Sequence, residues 1–114
     1  MNNYSDTSPN YSDYELKNDK GQDISFHGLK IGYVTTEQHK NNRNGRWMEI
    51  ACFKTKADSF ILHKLGCSNV DGESTRSSVI VADSPQELMD SYGYDALAKS
   101  LYEQCGFKHS RQID

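Results

Sequence analysis

The chain is short of the things that most often betray a small protein's chemistry. It has two prolines and three cysteines, and none of the cysteines sit in a CxxC spacing. That excludes a disulfide-dense scaffold and a zinc knuckle built on paired thiols. Cys52 and Cys67 face each other only if their strands pair suitably, so reduced, buried thiols are the expectation. No apolar run approaches the ~18 residues that a membrane helix needs, and there is no basic start followed by an apolar core. These absences lead to the expectation of a cytoplasmic protein without membrane contact. Gly28 and Gly32 share a GxxxG spacing, but no Lys-Ser/Thr follows them, and no GxSxG occurs. A phosphate-cradling loop and a serine nucleophile elbow are thereby excluded.

What is present is a modest apolar fraction, 35%, with 11% aromatic residues, seven of them Tyr. At 114 residues this is enough for a single core. The net charge of −3 is unevenly laid out: residues 1–22 and 83–114 are acidic and residues 23–82 are mildly basic.

Residues 1–22 are mostly Asn, Ser, Asp and Tyr. A segment so poor in aliphatic side chains is expected to be a disordered or loosely attached acidic-aromatic arm. Within it Asn3-Tyr4-Ser5-Asp6 recurs as Asn10-Tyr11-Ser12-Asp13. Either this is compositional repetition, or Tyr4, Tyr11 and Tyr14 are anchors that order on a partner.

A single domain is expected over residues 23–107, with a flexible tail over 108–114. Apolar residues alternate from Ile24 to Tyr33, with a slip at His27-Gly28 that suggests a β-bulge. A polar loop follows and closes on Asn44-Gly45, a hairpin signal. It gathers Lys40, Arg43 and Arg46. The stretch from Arg46 to Ser68 holds the only Trp and reads as a central hairpin turning at Lys56-Ala57-Asp58, with both faces covered. Trp47 and Phe53 are expected to cap the face opposite the helices. Residues 75–82 make a last strand. Ser84-Pro85-Gln86-Glu87 is a capping box with Pro at the first helical position, and Gly93 is a C-terminal cap. Asp95 caps a second helix, which ends at Gly106. The predicted fold is α+β: an antiparallel sheet of four to five strands followed by two C-terminal helices packed on one face.

The chemistry-bearing residues give little support to turnover. His63 and Cys67 lie about 13 Å apart if both are on one strand, so no metal site or cofactor is expected. Cys52 and His63 fall near each other on paired strands, which is the one nucleophile–base arrangement available. Cys52 also shares its strand face with Met48 and Ile50, as a small apolar filler does. Glu49 beside Lys64 or Arg46 reads as a cross-strand ion pair. The expectation is a non-enzymatic protein-binding module, monomer or dimer. Its acidic face would carry Asp83, Glu87, Asp90, Asp95 and Glu103 and would occupy a basic surface, for instance on a nucleic-acid-binding complex. The alternative is a nucleic-acid-binding accessory protein using Lys40, Arg43 and Arg46 in the loop 39–46.

Two resemblances bear on this. Arg46-Trp47-Met48-Glu49, Phe53-Lys54-Thr55, Phe60-Ile61-Leu62-His63 and Leu97-Ala98-Lys99-Ser100-Leu101-Tyr102-Glu103 resemble small bacterial proteins of an EXLDI-like type over residues 24–106. That family implies no established activity, and no catalytic residue can be carried over from it. In size, Asn- and Tyr-rich start and acidic ends, the chain is also similar to phage- or plasmid-encoded inhibitors of host defence such as anti-CRISPR proteins.

Overall fold

The computed structural model describes residues 11–36 and 45–113. Five strands run in the order in which they occur: β1 (Ser12–Leu16), β2 (Ile24–Thr35), β3 (Arg46–Thr55), β4 (Phe60–Ser68) and β5 (Arg76–Ala82). Every neighbouring pair is antiparallel. Two helices follow, α1 (Pro85–Tyr92) and α2 (Ala96–Cys105), so the fold is α+β as the change of period implied. Among the described residues no helix is long and apolar enough to cross a membrane.

The turn between β3 and β4 is set by Asp58, whose φ of 62° lies in the left-handed region that short polar side chains tolerate. Thr55 ties it down, with its carbonyl accepting from Asp58 N–H at 3.0 Å and its hydroxyl from Ser59 N–H at 3.1 Å. The resulting register places Cys52 opposite Leu62 and Ala51 opposite His63. Because side chains alternate between faces, Cys52 points to one side of the sheet and His63 to the other.

The helix-bearing face buries Ile50, Cys52, Leu62, Leu88 and Leu101 in one cluster. Helix ends are satisfied locally. Ser84 Oγ accepts from Glu87 N–H at 3.1 Å, and the Glu87 carboxylate reaches back to Asp83 N–H at 2.8 Å, one residue further than a standard capping box. Asp95 Oδ1 accepts from Ala98 N–H at 2.8 Å, and Gly106 ends α2 at φ 78°.

The opposite face carries its own cluster, in which Leu16, Ala51, Phe53 and Ile61 are buried, with Tyr14, Phe26 and Val79 packed around them. Trp47 is half-buried there but stands outside this cluster, so Phe53 is capped mainly by Tyr14 and Phe26. The expected slip at Gly28 also resolves differently. β2 is continuous through Gly28, which is the position where the strand changes partners, from Ser12 to Thr55. A Cβ there would lie 2.7 Å from the Lys54 carbonyl oxygen, so the glycine serves close approach of backbones. The bulge falls at Ile31, between Lys30 and Gly32.

The largest correction concerns the expected arm. Residues 12–16 are strand β1, and the connection after them crosses to the far edge of the sheet. Asp19 N–H donates to the Ser77 carbonyl at 2.8 Å, and Ser77 N–H donates to Asp19 Oδ2 at 2.7 Å. Ser77 faces Leu65 on its β4 side, so these bonds occupy its outer edge. The two ends of the sheet are thus bridged, and Leu16 is carried over Phe53 and Ile61. Residues 12–22, expected to belong to the arm, are thus part of the folded unit. The tail, expected to be flexible, makes contacts too: the His109 ring lies 6.2 Å from that of Tyr102.

Candidate functional site

The five carboxylates expected to form an acidic face are all exposed, and all lie on or beside the helical layer. They are not equivalent. Asp83 precedes the Ser84 cap of α1 and Glu87 and Asp90 lie on that helix, whereas Asp95 caps α2 and Glu103 lies on it, with Lys99 between them in sequence. Several have local duties. Glu87 and Asp95 are caps, as above. Asp90 Oδ1 accepts from the Tyr94 hydroxyl at 2.8 Å and from Gln86 Nε2 at 3.0 Å. Glu103 lies 3.5 Å from His109 Nε2. Lys108, His109 and Arg111 line a shallow cleft with Gln86, Asp90 and Tyr94, so the tail brings positive charge to one side of the acidic surface.

The tyrosine anchors behave differently from expectation. Tyr4 lies outside the described residues. Tyr14 stacks on Phe26 at 5.3 Å and meets Phe53 at 4.7 Å, as part of the second core. Tyr11 stacks on His27 at 6.1 Å with Lys56 Nζ 5.1 Å over its ring. Both rings are therefore engaged within the fold, where the expectation was of anchors that order on a partner.

For the basic loop, Lys40 and Arg43 lie outside the described residues. Arg46 is paired with Glu73 through two hydrogen bonds, Nε to Oε1 at 3.0 Å and Nη2 to Oε2. Ser68 Oγ adds a third bond to the same carboxylate, at 2.6 Å. Arg46 and Ser68 together hold the Glu73 carboxyl at about 2, well below its ordinary value. This ion pair forms one wall of a cleft of about 420 Å³, which Trp47, Gly66, Cys67 and Arg76 also line. The guanidinium charge expected to meet phosphate is therefore largely answered by Glu73. Glu49, expected in a cross-strand ion pair with Lys64 or Arg46, accepts through Oε2 from the Trp47 indole N–H at 2.9 Å.

The nucleophile–base pairing fails on geometry. The sheet itself separates Cys52 from His63. His63 instead belongs to a polar group inside the bridged face. Its Nε2 lies 2.7 Å from Ser77 Oγ, and that hydroxyl donates to the Lys17 carbonyl at 2.6 Å. With the serine proton so committed, Ser77 accepts from His63 Nε2–H, which fixes the tautomer. Burial, and next the Lys30 ammonium, lower the His63 pKa, while Glu49 acts against them. Cys67 faces the same side as Trp47, and Cys52 faces the helices, so these two thiols do not confront each other. The thiol nearest to Cys52 in the fold is that of Cys105; the Cys105 side chain first, and then burial, push the Cys52 thiol pKa upward, while the Phe53 carbonyl lies 4.0 Å from its sulfur. Sequence spacing held no signal for this pair or for the Asp19–Ser77–His63 group, because each is assembled from distant segments. Among the described residues no group of three His, Cys, Asp or Glu side chains is placed to hold a metal ion. Compared with known proteins, the chain matches no family model, no curated protein and no solved structure.

Proposed function

We propose that the protein is a non-catalytic binding module that presents the outer surface of its helical layer to a basic surface on a partner macromolecule. The observation that carries this reading is the exposure of Asp83, Glu87, Asp90, Asp95 and Glu103 together on that layer. Lys99 is the one cation within the two helices. Complementary charge steers encounter and sets orientation more than it adds raw affinity, so such a surface suits a partner whose groove is basic. In its narrower form the module is a mobile-element-encoded inhibitor that occupies the groove of a nucleic-acid-binding host defence complex. The small size and acidic ends support that form.

The test must remove charge without removing caps. Asp95→Lys would abolish a helix N-cap, so isosteric neutralisation is the sound choice: Asp83→Asn, Glu87→Gln, Asp90→Asn, Asp95→Asn and Glu103→Gln combined. Each keeps an acceptor oxygen. A partner captured from the host and then purified should bind the neutralised chain at least about tenfold more weakly at low salt, with the melting midpoint little changed. Equal binding by both forms sinks the reading. A nucleic-acid gel shift abolished by Lys40→Ala, Arg43→Ala and Arg46→Ala would transfer the function to the basic loop.

A further inference from the structure

Gly32 has no need of its glycine for backbone reasons, since its φ is not in the left-handed region. Space is the reason. It is the direct cross-strand partner of Cys52, and a Cβ built on it would lie 2.6 Å from Cys105 Sγ and 3.0 Å from Leu101 Cδ1. The missing side chain is a notch, and the last turn of α2 drops the Cys105 sulfur into it. Cross-strand partners have their Cβ positions roughly 4.5–5.5 Å apart, so the notch delivers that sulfur beside the Cys52 side chain. The Cys52 thiol has the Phe53 carbonyl as its polar partner, at 4.0 Å, and the Cys105 sulfur packs against the same cluster of buried side chains. Cys52 is fully buried and Cys105 only partly so, and both belong to the helix-side core. Cys67, the third cysteine, faces the opposite side of the sheet from Cys52.

We propose that Cys52 and Cys105 are a redox-responsive dithiol that closes into a disulfide between β3 and the end of α2 on meeting a small-molecule disulfide of the oxidised-glutathione class. The more accessible Cys105 thiolate attacks one sulfur of the small disulfide. That S–S bond breaks, a mixed disulfide forms on Cys105, and one small thiolate leaves and takes up a proton. Cys52 then gives up its proton and attacks Cys105 Sγ, expelling the second small thiol. Two protein thiols are oxidised, and one small disulfide is reduced to two thiols. Because the Cys52 thiol pKa is raised, the closing step accelerates toward alkaline pH. The bond fastens α2, and with it half of the exposed carboxylates' scaffold, to the central strand. This inference stands apart from the binding reading and survives or fails without it.

The experiment exposes the full chain to oxidised glutathione, traps free thiols by alkylation and maps the cross-linked peptides by mass spectrometry. The expected result is loss of two hydrogens from the intact mass, with a Cys52–Cys105 linkage that persists in Cys67→Ser. The melting midpoint should rise by about 5–10 °C and return on reduction. Gly32→Ala, which fills the notch, should cut the yield of the linkage about tenfold or more while Cys67 alkylation is unchanged. Three outcomes overturn the proposal: a linkage through Cys67, a reaction that stops at a mixed disulfide on Cys105, or Cys52 and Cys105 both remaining alkylatable after denaturation. The mapping of the unsubstituted chain decides the matter even where Gly32→Ala does not fold.

Discussion

Ser77 gives both of its outward main-chain groups to Asp19, accepting its N–H at 2.8 Å and donating to its carboxylate at 2.7 Å. One aspartate thereby shields part of the open edge of β5 and holds the β1–β2 connection over the second core. Exposed strand edges invite foreign pairing, and covering one is a common remedy. Asp19→Ala leaves the Ser77 N–H without its acceptor and should cost about 1–2 kcal/mol in urea denaturation. Asp19→Asn, which keeps an acceptor oxygen, should cost less. Hydrogen exchange at the Ser77 amide should speed up in the alanine variant; an unchanged rate would mean that the bridge is not made in solution.

That bridge also shows where the sequence is silent. The helices are legible because their signals are local: Ser84, Pro85 and Glu87 mark one start, Asp95 the other, and Gly93 and Gly106 the ends. The central hairpin is legible from its apolar density and its turn. β1 is not, because only Tyr14 and Leu16 supply apolar surface to it, and its place depends on Phe53 and on an aspartate that bonds a serine 58 residues away. Arg46 looked like a phosphate ligand because Glu73 comes 27 residues later, beyond any local window. The placing of Cys105 beside Cys52 is not legible either, because it depends on a side chain that Gly32 lacks.

His63 makes a titration that can be followed directly. Its imidazole is half-buried, and burial, then Lys30, oppose its protonation. In an NMR titration His63 should therefore titrate below the usual value of about 6.5. Lys30→Gln should move it back up. The sign for stability follows: the unfolded chain takes up this proton first as pH falls, so the histidine's contribution erodes as pH drops below about 6.5 and levels off once the folded form is also protonated. His63→Gln should flatten that part of the stability–pH curve. A His63 that titrates at or above the ordinary value would refute the buried placement.

Glu73 predicts a more acidic signature. Its carboxyl is held at about 2 by Arg46 and Ser68, so its contribution is present above the unfolded value, near 4.3, and disappears as pH falls through about 2. Glu73→Gln should therefore differ from the parent chain at pH 6 and converge with it near pH 2. Because the pair is at the surface, added salt should shrink the difference. A gap between the two forms that persists at pH 2 would show that Glu73 acts through packing and not through charge.

Tyr102 joins the two helices at a single buried point. Its ring is fully buried, with Tyr94 at 5.9 Å and Phe107 at 6.3 Å, and its hydroxyl donates to the carbonyl of Gly93, the residue that ends α1, at 2.5 Å. Packing and hydrogen bond can be separated by substitution. Tyr102→Phe keeps the ring and removes the donor, for a loss of about 1 kcal/mol, whereas Tyr102→Ala opens a cavity and should cost about 3–5 kcal/mol. An alkaline readout distinguishes the two roles further. Burial first, and then the neighbouring Tyr94 and Tyr92 and the Asp95 carboxylate, push the phenol's pKa upward. The unfolded chain therefore releases this proton near pH 10 while the folded chain retains it, so stability is lost as pH rises past 10. Tyr102→Phe has no such proton to release and should lose less stability than the parent between neutral and alkaline pH. Parallel curves for the two proteins would place the hydroxyl in contact with water and break its link to Gly93.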